Sequence, residues 1–249
     1  MSHLLDQWHY EPGRVVVRRF AGKDGQEKIQ LRVDLGILQM NVEGRPDGKR
    51  PLGHVSLFDA FVHRLNQHRK QHDGSDEEFE VSAEDCAKLQ LEALQYHHRS
   101  ICLLELQDFA AAARDTERNL HVLDFVDEYA ESDELAWSLQ QFRPQILMLH
   151  IRAKATQHLQ ANQFVVAVEE IESGLERLRE FYQEFGHQEM LDRSPEILSL
   201  QQWVEEINKK RPLTRREQLE HDLEQAVRSE DYEKAAKVRD ALRKLKTAD

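Results

Sequence analysis

The sequence contains few cysteines and no long apolar run. Only Cys86 and Cys102 occur in the 249 residues, and their spacing fits neither a zinc ribbon nor a redox Cys-x-x-Cys motif. We expect two buried free thiols, which suit the reducing cytoplasm. No apolar run is long enough to span a membrane, and the first residues lack the basic start and apolar core of a signal peptide. The predicted location is therefore cytoplasmic, without membrane contact.

An excess of positive charge is also missing. Lys and Arg number 34 against 46 Asp and Glu, which gives a formal net charge of −12. Aromatic residues make up only 7% of the chain, and no basic stripe interleaved with aromatic residues occurs. Both observations argue against direct binding of nucleic acid or of an anionic membrane.

The motifs of the common catalytic sites are absent as well. No Gly-x-x-x-x-Gly-Lys-Ser/Thr, Gly-x-Gly-x-x-Gly or Gly-x-Ser-x-Gly pattern occurs. His68 and His72 have metal-ligand spacing on a predicted helix, but the Glu of the metalloprotease arrangement is missing, so we expect surface histidines. In the loop 44–53, Arg45, Asp47, Lys49 and Arg50 could bind a phosphate or an acidic partner, although a plain turn needs the same Gly, Pro and Asp residues. We therefore predict that the protein is not an enzyme and uses no catalytic residue, metal or cofactor.

The first fifty residues have the pattern of a small antiparallel sheet. Residues 14–20 and 28–34 read as strands, and the Asp-Gly pair between them favours a tight turn. Residues 37–43 form a third strand or continue the second past Gly36. Because two or three strands are marginal alone, we expect the helix predicted at 56–71 to cover one face.

From residue 81 onwards the pattern is helical and contains an internal repeat. Two segments share the spacing aliphatic-x4-aromatic-x2-Ala at an offset of about 55 residues, namely Leu104, Phe109 and Ala112, and then Leu159, Phe164 and Ala167. Each copy predicts a helix, a turn and a second helix. The aromatic and the small residue after the turn resemble those of tetratricopeptide repeats. An irregular helical bundle is the alternative.

The final residues, 212–245, predict two short amphipathic helices joined by a tight turn. One face of the first carries Leu219, Leu223, Ala226 and Val227, and the second carries Tyr232, Ala235, Ala236, Arg239 and Leu242 at helical spacing. A hairpin of this length buries too little apolar surface to be stable alone. We therefore expect it to dock, either on a partner or on the helices of its own chain.

The same hairpin resembles the UVR domain, a helical hairpin of the B and C subunits of bacterial excision repair. The pattern is an acidic residue, an aromatic, Glu, two alanines, Arg-Asp and an aliphatic, filled here by Asp231, Tyr232, Glu233, Ala235, Ala236, Arg239, Asp240 and Leu242. The resemblance covers about the last 35 residues, and an ordinary helical hairpin is the alternative. Asp231 can cap the second helix, and Thr214 and Glu217 have capping-box spacing for the first.

This resemblance implies that one hairpin pairs with another. UVR domains also occur in activators of protein-arginine kinases and in some Clp-type chaperones. From Leu213 to Asp249, nine basic residues balance nine acidic ones, so the neutral hairpin favours a protein partner. That partner is another UVR hairpin, a second copy of the chain, or a component of repair or proteostasis. The predicted partner-binding residues are Leu219, Leu223, Tyr232, Ala235, Ala236, Arg239, Asp240 and Leu242.

The combined prediction is a mostly α-helical bacterial protein that acts as a non-enzymatic adaptor or regulator. We expect a β-rich region at 1–53, a helix and acidic linker at 54–80, a TPR-like helical domain at 81–211 and the UVR-like hairpin at 212–249. The protein docks through the hairpin, the helical-repeat surface or both. Two alternatives stay open: an accessory factor of nucleotide excision repair, and a regulator of a kinase or a Clp-type protease.

Overall fold

The computed structural model describes residues 8–212 and 215–246, with side chains for 8–212 and 218–243. The chain forms two compact units that divide between Val204 and Glu205. The described residues are mostly helical, with a three-stranded sheet at the N-terminal end and a helix pair at the C-terminal end. The predicted fold class is confirmed.

The sheet is an antiparallel meander of β1 (Val16–Ala21), β2 (Glu27–Val33) and β3 (Gly36–Asn41) in the order β1-β2-β3. Gly25 adopts a positive φ of 73° in the turn after β1, as the Asp-Gly pair predicts. Ile29 lies opposite Met40 in the β2–β3 register, and both are buried. The third strand is separate, because the chain reverses at residues 34–35 before Gly36.

Seven helices follow in the first unit and at its boundary: α1 (Leu57–Gln71), α2 (Ala83–Glu105), α3 (Phe109–Tyr129), α4 (Asp133–Gln140), α5 (Arg143–Gln160), α6 (Phe164–Glu184) and α7 (Pro195–Lys210). Side-chain oxygens of Ser56, Ser82, Asp108 and Ser132 accept hydrogen bonds from backbone N–H groups of the first turns of α1 to α4. These caps fix where the helices begin, since the first N–H groups of a helix have no partner within it.

Helix α3 packs against α2 and α5, and α6 packs against α5. The sheet packs on this helical layer through one shared cluster of buried residues. The cluster contains Ile29, Met40, Val42, Cys102, Leu103, Ala111, Ala112 and Ala153. The sheet is therefore covered mainly by α2, α3 and α5, and not by α1 as the sequence suggests. Both cysteines are buried free thiols, and burial raises the pKa of Cys102 to about 12.

The two copies of the sequence repeat form turns of the same geometry. Gln107 between α2 and α3 has φ 59°, and Asn162 between α5 and α6 has φ 58°. In each turn the next N–H donates to a carbonyl five residues earlier, at 2.8 Å, which is the pattern of a left-handed helix C-cap. Ala112 and Ala167, three residues after the aromatic, are fully buried. The sequence repeat therefore corresponds to a repeated helix–turn–helix structure, while the likeness to tetratricopeptide repeats stays a prediction.

Candidate functional site

The C-terminal hairpin consists of α8 (Arg215–Arg228) and α9 (Tyr232–Lys246), which pack against each other. The Asp231 N–H donates to the Ala226 carbonyl at 2.8 Å and closes the turn. The Asp231 carboxylate accepts from the Lys234 N–H at 3.0 Å, so the predicted cap of the second helix is confirmed. The capping box of Thr214 and Glu217 lies outside the described side chains.

The structure separates the predicted partner-binding residues into two groups. The apolar members are buried or half-buried in this conformation, namely Leu219, Leu223, Ala235, Ala236 and Leu242. The exposed members are Tyr232, Arg239 and Asp240. Tyr232 is 70% exposed, and Val227, which we did not include in the predicted set, is 53% exposed. Val227 and Tyr232 are therefore the large apolar side chains that the hairpin leaves open at its turn.

The turn of this hairpin repeats the geometry of the two turns in the first unit. Glu230 has φ 59°, and Val227, Tyr232 and Ala235 reproduce the aliphatic-x4-aromatic-x2-Ala spacing. Leu104 and Phe109 are half-buried at the equivalent positions, and Leu104 packs on the cluster beneath the sheet. In the C-terminal hairpin the corresponding two side chains are open. That spacing was the sequence signal that could have identified Val227.

Glu230 offers a direct test of the turn geometry. Because a left-handed residue other than glycine costs about 1–2 kcal/mol, Glu230→Gly should stabilise the hairpin by about 0.5–1 kcal/mol after the added chain entropy of glycine. Amide hydrogen exchange across α8 and α9 should slow accordingly. Glu224→Gly, an exposed change inside α8, should instead destabilise the hairpin by about 1 kcal/mol. Equal effects of the two glycines would contradict the assigned turn.

A second open apolar surface lies on the helical unit. A cavity of about 360 Å³ runs between α2, α3 and the junction of α4 with α5. Leu91, Leu94 and Phe142 expose apolar surface there, and the polar lining consists of Gln90, His97 and Gln145. Burial, and secondarily His98, lowers the pKa of His97, so this groove carries no charge near neutral pH. Helix α2 therefore has a second apolar face. The leucine-rich sequence pattern includes its residues, but it does not distinguish this open face from the buried one.

The other sequence candidates have local partners. The rings of His68 and His72 stack 4.0 Å apart, and within the described residues no group of three or more His, Cys, Asp or Glu is arranged to hold a metal ion. In the loop 44–53, Arg45 pairs with Asp47 at 3.2 Å and with Glu92 at 3.3 Å. Asp47 accepts from the Lys49 N–H. These contacts agree with the turn interpretation of that loop.

Comparison with known proteins gives a match at the C-terminal hairpin. No curated protein and no solved structure matches the chain. None of the helices in the described ranges has the length and hydropathy needed to cross a membrane. Residues 214–248 match the family model of the UvrB/uvrC motif, UVR, a motif associated with protein interaction and DNA repair that is not itself catalytic. The hairpin at the end of this chain is therefore a UVR motif, joined to a longer sheet-and-helix segment before it.

Proposed function

We propose that this protein is a non-enzymatic adaptor or regulator that docks on another protein through its UVR hairpin. The observation that carries the proposal is the pairing of a matched UVR motif with two open apolar side chains at its turn, Val227 and Tyr232. Burying an exposed valine or tyrosine against a partner contributes about 1.5–3 kcal/mol for each side chain. Such a contact can form the apolar centre of an interface, with the surrounding polar rim supplying the rest of the buried area.

The partner that fits best is a second helical hairpin, either in another copy of this chain or in another UVR protein. The apolar pair at the turn supplies the centre of the contact. Arg239 and Asp240 are exposed, and their side chains lie 3.3 Å apart. Both can exchange this local pair for ion pairs with a partner hairpin. Exposed ion pairs contribute more to register and specificity than to affinity.

The groove at Leu91, Leu94 and Phe142 supports the same class of function. Leu91 and Leu94 are three residues apart, so they project from one side of α2. An amphipathic helix of a partner can lay apolar side chains into such a groove. The neutral lining suits apolar anchors, and the hairpin and the groove would give an adaptor two separate attachment surfaces.

Solution mass tests the docking role of the hairpin. We expect the full chain to self-associate with increasing concentration, and the chain that ends at Lys210 to stay monomeric in light scattering. Val227→Ser with Tyr232→Ser should weaken association at least about tenfold, with unchanged helical circular dichroism. Leu35→Ser, a change at another highly exposed apolar residue, serves as the matched control.

Unchanged mass in both the truncated and the double-serine chain would remove self-association as the role of the hairpin. The same three variants would then be used to measure binding to the UVR-bearing subunits of excision repair. Loss of binding in both the truncated and the double-serine chains, with Leu35→Ser still binding, would keep the docking surface and identify a heterologous partner. Full binding by that chain would overturn the proposal.

An accessory role in excision repair is the second candidate, because the UVR motif is associated with DNA repair. The acidic chain, with its net charge of −12, favours attachment to a repair protein over attachment to DNA. A shift of labelled DNA that weakens as salt increases would reverse this order.

A further inference from the structure

A pocket of about 350 Å³ opens on the helical unit where α3 ends, α4 begins and α6 ends. Its lining consists of Asp127, Asp133, Ala136, Trp137, Phe185 and His187. The Trp137 ring centroid lies 5.0 Å from that of Phe185 and 5.5 Å from that of His187. All three rings are half-exposed. The pocket thus combines an aromatic wall with carboxylates, outside both surfaces described above.

The backbone adds negative potential to this pocket. Helix α3 ends at Tyr129 and α6 ends at Glu184, and neither has a basic residue in its last turn. The carbonyl ends of two helices therefore lack their usual cationic complement. The N-terminal end of α4 carries the opposite partial charge, but Asp133 and Glu134 occupy its first turn and compensate it.

The two carboxylates that line the pocket are only partly compensated by positive charge among the described residues. Within the described part of the chain, neither Asp127 nor Asp133 forms an ion pair, whereas the nearby Arg143 is committed to Asp124 at 2.6 Å. Desolvation raises the pKa of Asp127. Arg143 opposes this rise, Glu184 and Asp124 add repulsion, and a hydrogen bond with Gln140 lowers the pKa again in part. A cation that entered the pocket would relieve this repulsion.

An adjoining cleft extends the negative surface. It shares Asp127 and Phe185 with the pocket and also contains Asp124, Glu180 and Glu184. Across the two cavities, five carboxylates face two guanidinium groups. The surface repels phosphate groups and attracts basic segments, and it extends beyond the space of a single side chain.

We propose that this pocket binds the guanidinium group of an arginine in a basic, extended segment of a partner protein. A guanidinium is flat and weakly hydrated, so it can stack on aromatic rings while its N–H groups donate to carboxylates at its edge. Trp137 and Phe185 supply the rings, and Asp127 and Asp133 supply the acceptors. This site belongs to the helical unit and does not depend on the hairpin, so it gives the adaptor a charge-selective contact of its own.

The test titrates the full chain with the tetrapeptide acetyl-Gly-Arg-Ser-Gly amide and with the same peptide containing citrulline in place of arginine. Citrulline keeps the shape of arginine and removes its charge. We expect the arginine peptide to produce saturable NMR shifts of the Trp137 indole N–H. The affinity should be at least about tenfold lower for the citrulline peptide, and lower in high salt. Equal response to the two peptides, or no response at Trp137, would overturn the proposal.

Two isosteric double variants complete the test. Asp127→Asn with Asp133→Asn should lower the affinity for the arginine peptide at least about tenfold. Asp34→Asn with Asp73→Asn removes the same charge from exposed positions and should change affinity less than about twofold. If both double variants weakened peptide binding equally, net charge alone would explain the attraction, and the proposal of a specific pocket would be overturned. Because the peptide comparison uses the unmodified chain, the test remains decisive even if a variant unfolds.

Discussion

Asp115→Asn should lower the free energy of unfolding by about 3–5 kcal/mol, the usual cost of breaking a buried ion pair by removing one charge. Arg99 and Asp115 are each only 1% exposed. The Arg99 guanidinium donates to the two Asp115 carboxylate oxygens at 2.6 and 2.9 Å. Asparagine keeps the shape of this side chain but leaves the guanidinium charge buried without its counter-ion.

The rest of the Arg99 guanidinium explains why this pair matters to the fold. Its Nη1 donates to the carbonyl of Asn41 at 2.9 Å and to that of Gly44 at 2.7 Å. The guanidinium also lies 4.8 Å from the centroid of the Tyr96 ring. Asn41 ends β3, while Asp115 belongs to α3, so one side chain on α2 joins the sheet to the helical layer. Loss of the counter-ion should therefore loosen the sheet first.

Urea unfolding measures the effect, and two further variants calibrate it. Glu43→Gln breaks an exposed pair with Arg114, in which Glu43 is 80% exposed, and should cost less than about 1 kcal/mol. Arg99→Met with Asp115→Leu removes both charges and should cost less than Asp115→Asn alone, although two carbonyls then lose a donor. A cost of Asp115→Asn as small as that of Glu43→Gln would refute the assigned role of the pair.

The elements of this fold could be predicted because their signals are local. Alternating strands, a turn at Asp24-Gly25 and helical periodicity depend on neighbours a few residues apart. The repeat at Phe109 and Phe164 and the UVR pattern around Tyr232 are likewise short strings. The structure places each of these where the pattern indicates, to within a few residues.

What could not be predicted depends on contacts between distant segments. Arg99 and Asp115 look like ordinary charges on solvated helix faces. The structure buries both, and Arg99 donates to carbonyls at the end of β3 and just after it. The pocket at Trp137 and His187 joins residues fifty positions apart, and no spacing rule relates them. In the hairpin, the helical period identifies Tyr232 and Ala235 equally well, but the packing of α8 on α9 decides that one is exposed and the other buried.

Gly174→Val should destabilise the helical unit by about 3 kcal/mol, because α5 and α6 approach each other too closely for a side chain there. Gly174 is buried within α6, and a Cβ at this position would overlap the Cγ1 and Cδ1 atoms of Ile151 on α5. Ile151 is itself only 1% exposed, so it has little space into which to move. Gly36→Val is the matched control, since a Cβ at Gly36 meets nothing within 4 Å.

The decisive comparison repeats the valine substitution in a chain that already carries Ile151→Ala. Ile151→Ala alone should cost about 2–5 kcal/mol, because it leaves a cavity in a packed interface. The valine at position 174 then enters the space that the isoleucine leaves. The double variant should therefore be more stable than the sum of the single effects predicts, by about 1–3 kcal/mol. Urea unfolding of the four chains measures this coupling, and strict additivity would mean that the two helices do not meet at Gly174 and Ile151.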